Sequence, residues 1–188
     1  NFKTAIIKKF YKDQLDEQRL INNKNKLYCE KNRIESIKKA IKDKNDIVIL
    51  DDGLQEKKLS YDISFVCFNI TKWIGNGFLL PAGPLREGLK SLKNYSAIIL
   101  TGNGENTKKI MSQIKKYNNK IKIFETIYRP INIKKFNKNK NYLIFSGIGN
   151  PETFKKTLTS NKIKVIKSLV FPDHYQYTDY DIKKIKQL

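Results

Sequence analysis

The sequence predicts an α/β protein built on mainly parallel sheets. Three observations lead there. Short β-branched runs alternate with segments of helical periodicity, several of those runs stop abruptly at acidic or glycine-rich turns, and no internal repeat breaks the alternation. Residues 4–8 read as a short buried strand and residues 11–19 as a polar stretch. In 31–41, Ile34, Ile37, Ala40 and Ile41 recur at helical spacing with Lys and Glu between them, which predicts a helix. Residues 46–50 form a strand-like run broken at once by Asp51-Asp52-Gly53. Residues 64–69 and 97–100 read as strands of the fully buried type. Helical periodicity returns over 105–117, and 121–127 reads as a strand.

The pattern weakens over 129–140, a lysine- and asparagine-rich stretch that reads as a linker. It separates an expected domain over 1–128 from a smaller α/β domain over 141–188. In the latter, 142–145 reads as a strand and 146–150 as a glycine turn. Residues 151–158 read as a helix with Pro151 in its first turn, where a missing N–H is no loss. Residues 163–170 form a strand ending at Phe171-Pro172-Asp173-His174, and 179–188 a helix. The chain opens in strand sequence and closes in a helical pattern, so a longer polypeptide is expected.

Hydrophobic residues make up 39% of the chain, enough for a packed core, which excludes disorder along the whole length. The formal net charge of +20 points to anionic partners: nucleic acid, phospholipid or phosphorylated substrates. Only Arg19, Arg33, Arg86 and Arg129 are arginine among 38 basic residues, and lysine excess beside abundant Asn and Ile also suits a general compositional bias. Charge alone therefore names no partner. A nucleic-acid-binding module would cluster its basic residues with exposed aromatics or carry a reading motif. Here the lysines are spread evenly and no motif occurs, so no nucleic-acid partner is expected. Cys29 and Cys67 lack metal-ligand spacing and read as small core residues in a reducing compartment. No run approaches the roughly 20 apolar residues of a spanning helix, so membrane contact is expected to be peripheral.

Four segments could carry chemistry. Asp51 and Asp52 close a buried strand at its carboxyl end, where open α/β sheets bind ligands and where a Walker-B aspartate holds Mg²⁺; a turn or capping Asp-Gly pair is the competing reading. The irregular run Gly75-Asn76-Gly77-Phe78-Leu79-Leu80-Pro81-Ala82-Gly83-Pro84 leads through Leu85 to Arg86-Glu87. An arginine there, in a lysine-rich chain, suits bidentate binding of phosphate or carboxylate, or a plain surface ion pair. Phe171-Pro172-Asp173-His174 places the one histidine at a strand end, functional or structural. Gly147-Ile148-Gly149-Asn150-Pro151 is a strand-to-helix turn whose N–H groups could meet a phosphate, or whose glycines could serve close packing. Asp16 and Glu17 look like ordinary solvated acids. Tyr175, Tyr177 and Tyr180 form an aromatic cluster suited to packing or to a carbohydrate or lipid contact.

Taken in order, these segments resemble the tetraacyldisaccharide 4'-kinase family. The resemblance rests on Ile49-Leu50-Asp51-Asp52-Gly53-Leu54-Gln55, the run from Gly75 to Glu87, Phe145-Ser146-Gly147-Ile148-Gly149-Asn150-Pro151-Glu152-Thr153-Phe154, and Phe171-Pro172-Asp173-His174. It implies a P-loop-kinase-like α/β/α core, incomplete at its N-terminus, plus a second smaller α/β domain. It further implies transfer of the γ-phosphoryl of ATP, with Mg²⁺, to the 4'-hydroxyl of an acylated disaccharide 1-phosphate lipid. The expected place is the cytoplasmic face of the bacterial inner membrane, with peripheral contact to that anionic surface. By position, Asp16 matches the carboxylate that deprotonates the sugar hydroxyl and His174 its supporting histidine. Asp51 and Asp52 match the magnesium pair, Arg86 and Glu87 the phosphate-contacting loop, and Gly147, Gly149 and Asn150 become candidates for nucleotide contact.

The sequence departs from the family at Leu15 and Gln18, where Gly and Pro flank the acidic pair, and at Leu54, Glu56, Gly88 and Tyr175, where Phe, His, Pro and His are usual. No Gly-x-x-x-x-Gly-Lys-[Ser/Thr] loop occurs in these residues. Its N–H groups and lysine cradle phosphates, so this polypeptide alone is expected to show negligible kinase activity. A degenerate relative kept as a scaffold is the alternative, against which the intact Asp51-Asp52, Arg86-Glu87 and Asp173-His174 argue.

Overall fold

The structure is a computed structural model that describes residues 1–102 and 106–188; the predicted helix start at Glu105 lies outside the described residues. The chain divides into two compact units, Asn1–Glu56 with Asn132–Leu188, and Lys57–Ile131. The cuts thus fall at 56/57 and 131/132, where the sequence suggested a single boundary within 129–140.

The first unit begins with β1 (Thr4–Lys9), α1 (Leu15–Asn22), β2 (Leu27–Glu30), α2 (Arg33–Lys42) and β3 (Ile47–Leu50). The strands form a parallel sheet in the order β2-β1-β3, with Ile7 opposite Tyr28 on one side and Leu50 on the other. Ala5 and Ile7 are fully buried, and with Tyr28 and Ala40 they form a small core that Ile37, Val48 and Leu50 extend. This is the period-2 strand face meeting the apolar stripe of α2. Asn32 caps α2 by accepting from the Ile34 N–H at 2.9 Å.

Two of these elements, α1 and β2, were not foreseen. Helix α1 starts inside the polar stretch 11–19, and its buried face carries Gln18, whose side-chain amide donates to the Tyr11 carbonyl at 2.7 Å; hydrophobic periodicity cannot show a buried glutamine.

The second unit holds β4 (Phe65–Asn69), β5 (Ala97–Thr101), α3 (Thr107–Tyr117) and β6 (Lys122–Thr126), paired in parallel in the order β4-β5-β6. Its core joins Ile98 and Leu100 of the central strand to Ile110 and Ile114 of α3, with Ile70, Leu92 and Ile121. Ala97, Ile98 and Leu100 of β5 are buried, close to the expected full burial, whereas the expectation fails for β4. As an edge strand of this sheet, β4 leaves Phe65 and Cys67 exposed. Cys67 is therefore not the core residue its apolar neighbours suggested, and Cys29 is only half-buried.

The chain then returns to the first unit as β7 (Asn141–Ser146), α4 (Pro151–Ser160), β8 (Lys164–Val170) and α5 (Asp179–Lys186). β7 and β8 pair in parallel around α4, so the strand–helix–strand reading of 142–170 holds. Residues 129–140 contain only a short 3-10 turn at Ile133–Lys135.

Candidate active site

The carboxyl end of β3 carries the acidic turn. The Asp51 N–H still donates to the Ile7 carbonyl at 2.9 Å, continuing the sheet by one residue. The chain then reverses sharply, with Asp52 in the left-handed region at φ 53°. A non-glycine residue there is uncommon, and such strain gathers at functional sites. Two features hold the reversal. The Arg33 guanidinium donates to the main-chain oxygens of Asp51 at 3.2 Å and Asp52 at 3.0 Å. Gly53 lies so close to Leu50 that a Cβ would sit 2.7 Å from that residue's Cβ.

Lys8, near the end of β1, is drawn into the same place. Its ammonium lies 2.6 Å from Asp51 Oδ2 and 2.8 Å from Glu17 Oε2, and its side chain is only 7% exposed. Burial alone pushes a lysine pKa down, but hydrogen bonds to Asp51 and Glu17 outweigh it and hold this ammonium above its ordinary value. Two acids from different elements, the first turn of α1 and the end of β3, thus share one buried cation.

His174 and Asp16 form the second pair. They are 158 residues apart in sequence, and His174 Nδ1 stands 3.2 Å from each oxygen of the Asp16 carboxylate. Asp16 sits in the first turn of α1, where the helix N-terminus favours negative charge. His174 follows the end of β8 in the left-handed region at φ 56°, with its N–H on the Gly147 carbonyl at 3.2 Å. The hydrogen bond to Asp16 raises the imidazole pKa against a smaller desolvation effect. For Asp16, burial works upward, but the His174 hydrogen bond and backbone N–H groups bring the carboxyl below its usual range.

The histidine turn is packed from behind. Phe171, Tyr175 and Tyr177 stack with centroids 4.8 to 5.4 Å apart, and Phe145 joins Tyr177 at 5.4 Å. The Tyr175 hydroxyl donates to Asp181 at 3.1 Å, and Asp181 also closes a capping box with Thr178 at the start of α5. Packing is thus what Tyr175 and Tyr177 do here, while Tyr180 is exposed. Gly147 and Gly149 face this turn. A Cβ on Gly147 would lie 3.0 Å from the Pro172 carbonyl and from Tyr175 Cβ, and one on Gly149 would lie 3.0 Å from Asp173 Oδ2. Asn150 caps α4 by accepting from the Thr153 N–H at 3.3 Å.

In the second unit, the run from Gly75 to Glu87 folds on itself. Asn76 Nδ2 donates to the Ala82 carbonyl at 2.8 Å and its Oδ1 accepts from the Phe78 N–H at 3.1 Å. A Cβ on Gly83 would lie 2.2 Å from Asn76 Oδ1, so this glycine is obligatory. Arg86 and Glu87 follow the loop, and the Tyr95 hydroxyl donates to Glu87 at 2.8 Å. Burial and that carboxylate push the tyrosine pKa up to about 12.

Of the residues singled out in sequence, the first unit brings His174 onto Asp16 and sets Asp51 beside Glu17 and Lys8. Arg86 and Glu87 belong to the other unit. Lys8, Glu17 and Arg33 were missed. The available signal was a lysine ending the apolar run Ala5-Ile6-Ile7, since a buried lysine needs a partner. An open groove of about 480 Å³ along α1 and β2, lined by Arg19, Lys26 and Lys39 among others, contains none of the predicted site residues. Among the described residues, no group of three or more His, Cys, Asp or Glu side chains is placed to hold a metal ion.

The family described as LpxK, tetraacyldisaccharide-1-P 4'-kinase, matches residues 11–188. A tetraacyldisaccharide 4'-kinase of Pelagibacter ubique is 45% identical over 185 residues, which cover 98% of this chain and 59% of that protein. The Rickettsia bellii protein of the same name is 40% identical over 146 residues, 77% of this chain and 44% of its own length. The chain therefore spans about three-fifths or less of these relatives. Among solved structures, an "apo" form LpxK from Aquifex aeolicus, crystallised in complex with ATP, superposes with a TM-score of 0.67 at 23% identity. That match covers 95% of this chain and 64% of that one, and it shows a shared α/β fold.

Proposed function

The chain belongs to the tetraacyldisaccharide-1-P 4'-kinase family, and from that premise we propose that the protein it represents moves the γ-phosphoryl group of ATP to the 4'-hydroxyl of an acylated disaccharide 1-phosphate lipid, a step in lipid A biosynthesis. The observation that carries the reading is the Asp16–His174 pair, two polar side chains from opposite ends of the sequence held carboxylate to imidazole. A sugar hydroxyl is a weak nucleophile until its proton has somewhere to go. The Asp16 side chain is 60% exposed, open to an incoming hydroxyl, while His174 holds it from the other side. When Asp16 takes up the hydroxyl proton, an imidazolium at His174 can give one proton to solvent, so that the net charge of the pair is unchanged.

The residues at the end of β3 suit Mg²⁺. It takes hard oxygen donors, commonly one or two carboxylates with substrate phosphates completing the shell. Asp51 and Glu17 already converge on one cation, and Asp52 stands next in the chain with its backbone held by Arg33. We assign the ion to Asp51 and Asp52, with Glu17 beside them. When bound it would neutralise charge developing on the transferred phosphoryl group. Arg86 and Glu87 are assigned to phosphate contact and site organisation, with Tyr95 anchoring Glu87. Gly147, Gly149 and Asn150 we now assign to seating the His174 turn and starting α4, since close packing and capping account for them.

A +20 chain facing an anionic leaflet gains roughly 1 kcal/mol per well-placed lysine, which supports peripheral work at the cytoplasmic face of an inner membrane. Among the described residues no helix is long and apolar enough to cross a bilayer.

The test is phosphoryl transfer from labelled ATP to the tetraacyldisaccharide 1-phosphate by the full-length protein. Asp16→Asn and His174→Ala are each expected to lower kcat by about 10²- to 10⁴-fold. Wild-type turnover in both variants would refute the assignment.

A further inference from the structure

We propose that Lys8 is a built-in counter-ion that weakens the hold of the Glu17–Asp51 pair on free divalent cations until nucleotide phosphates arrive with the metal. The inference rests on the reading of Asp51 as a magnesium ligand, and goes beyond it by giving the site an order of filling.

Position is the first support. Lys8 follows Ile7, which pairs with Leu50, so sheet register alone sets Lys8 beside Asp51 at the end of adjacent parallel strands. The ammonium cannot withdraw easily, because its side chain is 7% exposed and both acids are within hydrogen-bond distance. Charge is the second. Glu17 and Asp51 would repel each other without a cation between them, and Lys8 supplies one unit of positive charge there permanently.

A divalent ion using the same carboxylates must either displace the ammonium or sit within about 5 Å of it. Even at the dielectric constant of water, that repulsion corresponds to at least about a tenfold loss of affinity. Lys8 takes one oxygen from each acid, Asp51 Oδ2 and Glu17 Oε2. The second oxygen of each can still bind, so the site is weakened toward bare metal and not closed. Triphosphate oxygens add negative charge and ligands together, which restores the balance in favour of the metal–nucleotide complex.

The probe is Mn²⁺, followed by electron paramagnetic resonance on the full-length protein with and without a non-hydrolysable ATP analogue. Lys8→Met and Lys8→Gln are expected to tighten Mn²⁺ binding without nucleotide by about tenfold or more. Lys8→Arg, which keeps the charge, should stay within about threefold of wild type, a rescue that a packing role alone would not produce. Unchanged or weaker binding in the folded Met and Gln variants would overturn the inference. Asp51→Asn separates the two levels. If it leaves Mn²⁺ binding untouched, the metal assignment itself fails and takes this inference with it. If it abolishes binding while Lys8→Met and Lys8→Gln change nothing, only the role of Lys8 fails. A reading without substitution is also available. The Lys8 ammonium ¹⁵N signal should move on addition of the Mg²⁺–nucleotide complex and stay in place with the same concentration of Mg²⁺ alone. Equal movement with both would contradict the proposed order.

Discussion

Replacing Gly147 by alanine tests how His174 is held against Asp16. The added methyl would lie 3.0 Å from the Pro172 carbonyl oxygen and from Tyr175 Cβ, with the Tyr175 amide nitrogen at 3.3 Å. These are backbone and near-backbone atoms that no rotamer change can move. Ordinary van der Waals contact begins at 3.4 Å, so the turn carrying His174 must retreat by at least about 0.4 Å. The His174–Asp16 separation is 3.2 Å. A retreat of that size away from α1 takes it to roughly 3.6 Å, beyond a hydrogen bond. Misplacements of about 1 Å cost a hundredfold in rate, so about tenfold is expected in kcat. The stability loss should remain in the range of about 1–3 kcal/mol typical of overpacking.

Gly149→Ala is the internal control. Its methyl would meet Asp173 Oδ2 at 3.0 Å, the end of a rotatable side chain, so the cost should be small and the rate nearly unchanged. The assay is steady-state transfer by the full-length protein, with the imidazole signals of His174 followed by NMR in both variants. If both substitutions raise the KM for ATP and leave kcat and the imidazole signals alone, the glycines serve the nucleotide and the packing argument is wrong.

Two further outcomes follow from the same geometry. The folded pKa of His174 is raised, so its share of stability is complete below the ordinary imidazole pKa and fades as pH climbs through the raised value. That of Asp16 is lowered, so its share is complete above the ordinary carboxylate pKa and fades as pH falls through the lowered value. Asp16→Asn should therefore bring the NMR titration midpoint of His174 down toward its ordinary value and flatten the pH dependence of thermal unfolding near neutrality; an unmoved midpoint would mean the pair does not form in solution. Asn150→Ala should cost about 1 kcal/mol in a chemical denaturation series, the worth of an N-cap, without changing the KM for ATP. A large rise in that KM at unaltered stability would return Asn150 to the nucleotide site.

The elements that hydrophobic period could reveal were visible in sequence, and those stabilised otherwise were not. Helix α2 and strand β5 carry apolar side chains at the spacing their geometry demands, so their existence could be read directly. Helix α1 turns a glutamine inward and β2 is only four residues long, and neither leaves a periodic trace. Strand β4 was legible as a strand but not as an edge, because its place in the sheet order depends on pairing partners far along the chain. At the site, the family resemblance supplied Asp16, which its own neighbourhood would never have singled out. Lys8 went unnoticed for the opposite reason. One more lysine in a chain with 38 basic residues carries no compositional signal; the sheet register sets it beside Asp51, and helix α1 brings Glu17 to it.

Burial divides the chemistry of the first unit into two kinds of ion pair. Lys8 is enclosed, its ammonium shared between two carboxylates that hold its pKa above the ordinary lysine value, so it acts as a standing positive charge. Asp16 is open to solvent and His174 half-buried, the two are joined to one another, and an imidazole is the side chain that titrates closest to neutrality. The proposed phosphoryl transfer would need both a charge that stays put for phosphate and metal and a site that takes up the proton of the attacking hydroxyl. The left-handed residues Asp52 and His174 fall just beyond the carboxyl ends of β3 and β8. Each strand is thus bent sharply where it delivers its side chains, and each bend is secured by neighbours without acid–base chemistry of their own, Arg33 and Gly53 in one case, Gly147 and the aromatic cluster in the other. Substitutions among those supports should accordingly alter rate before they alter fold, as the Gly147 series would show first.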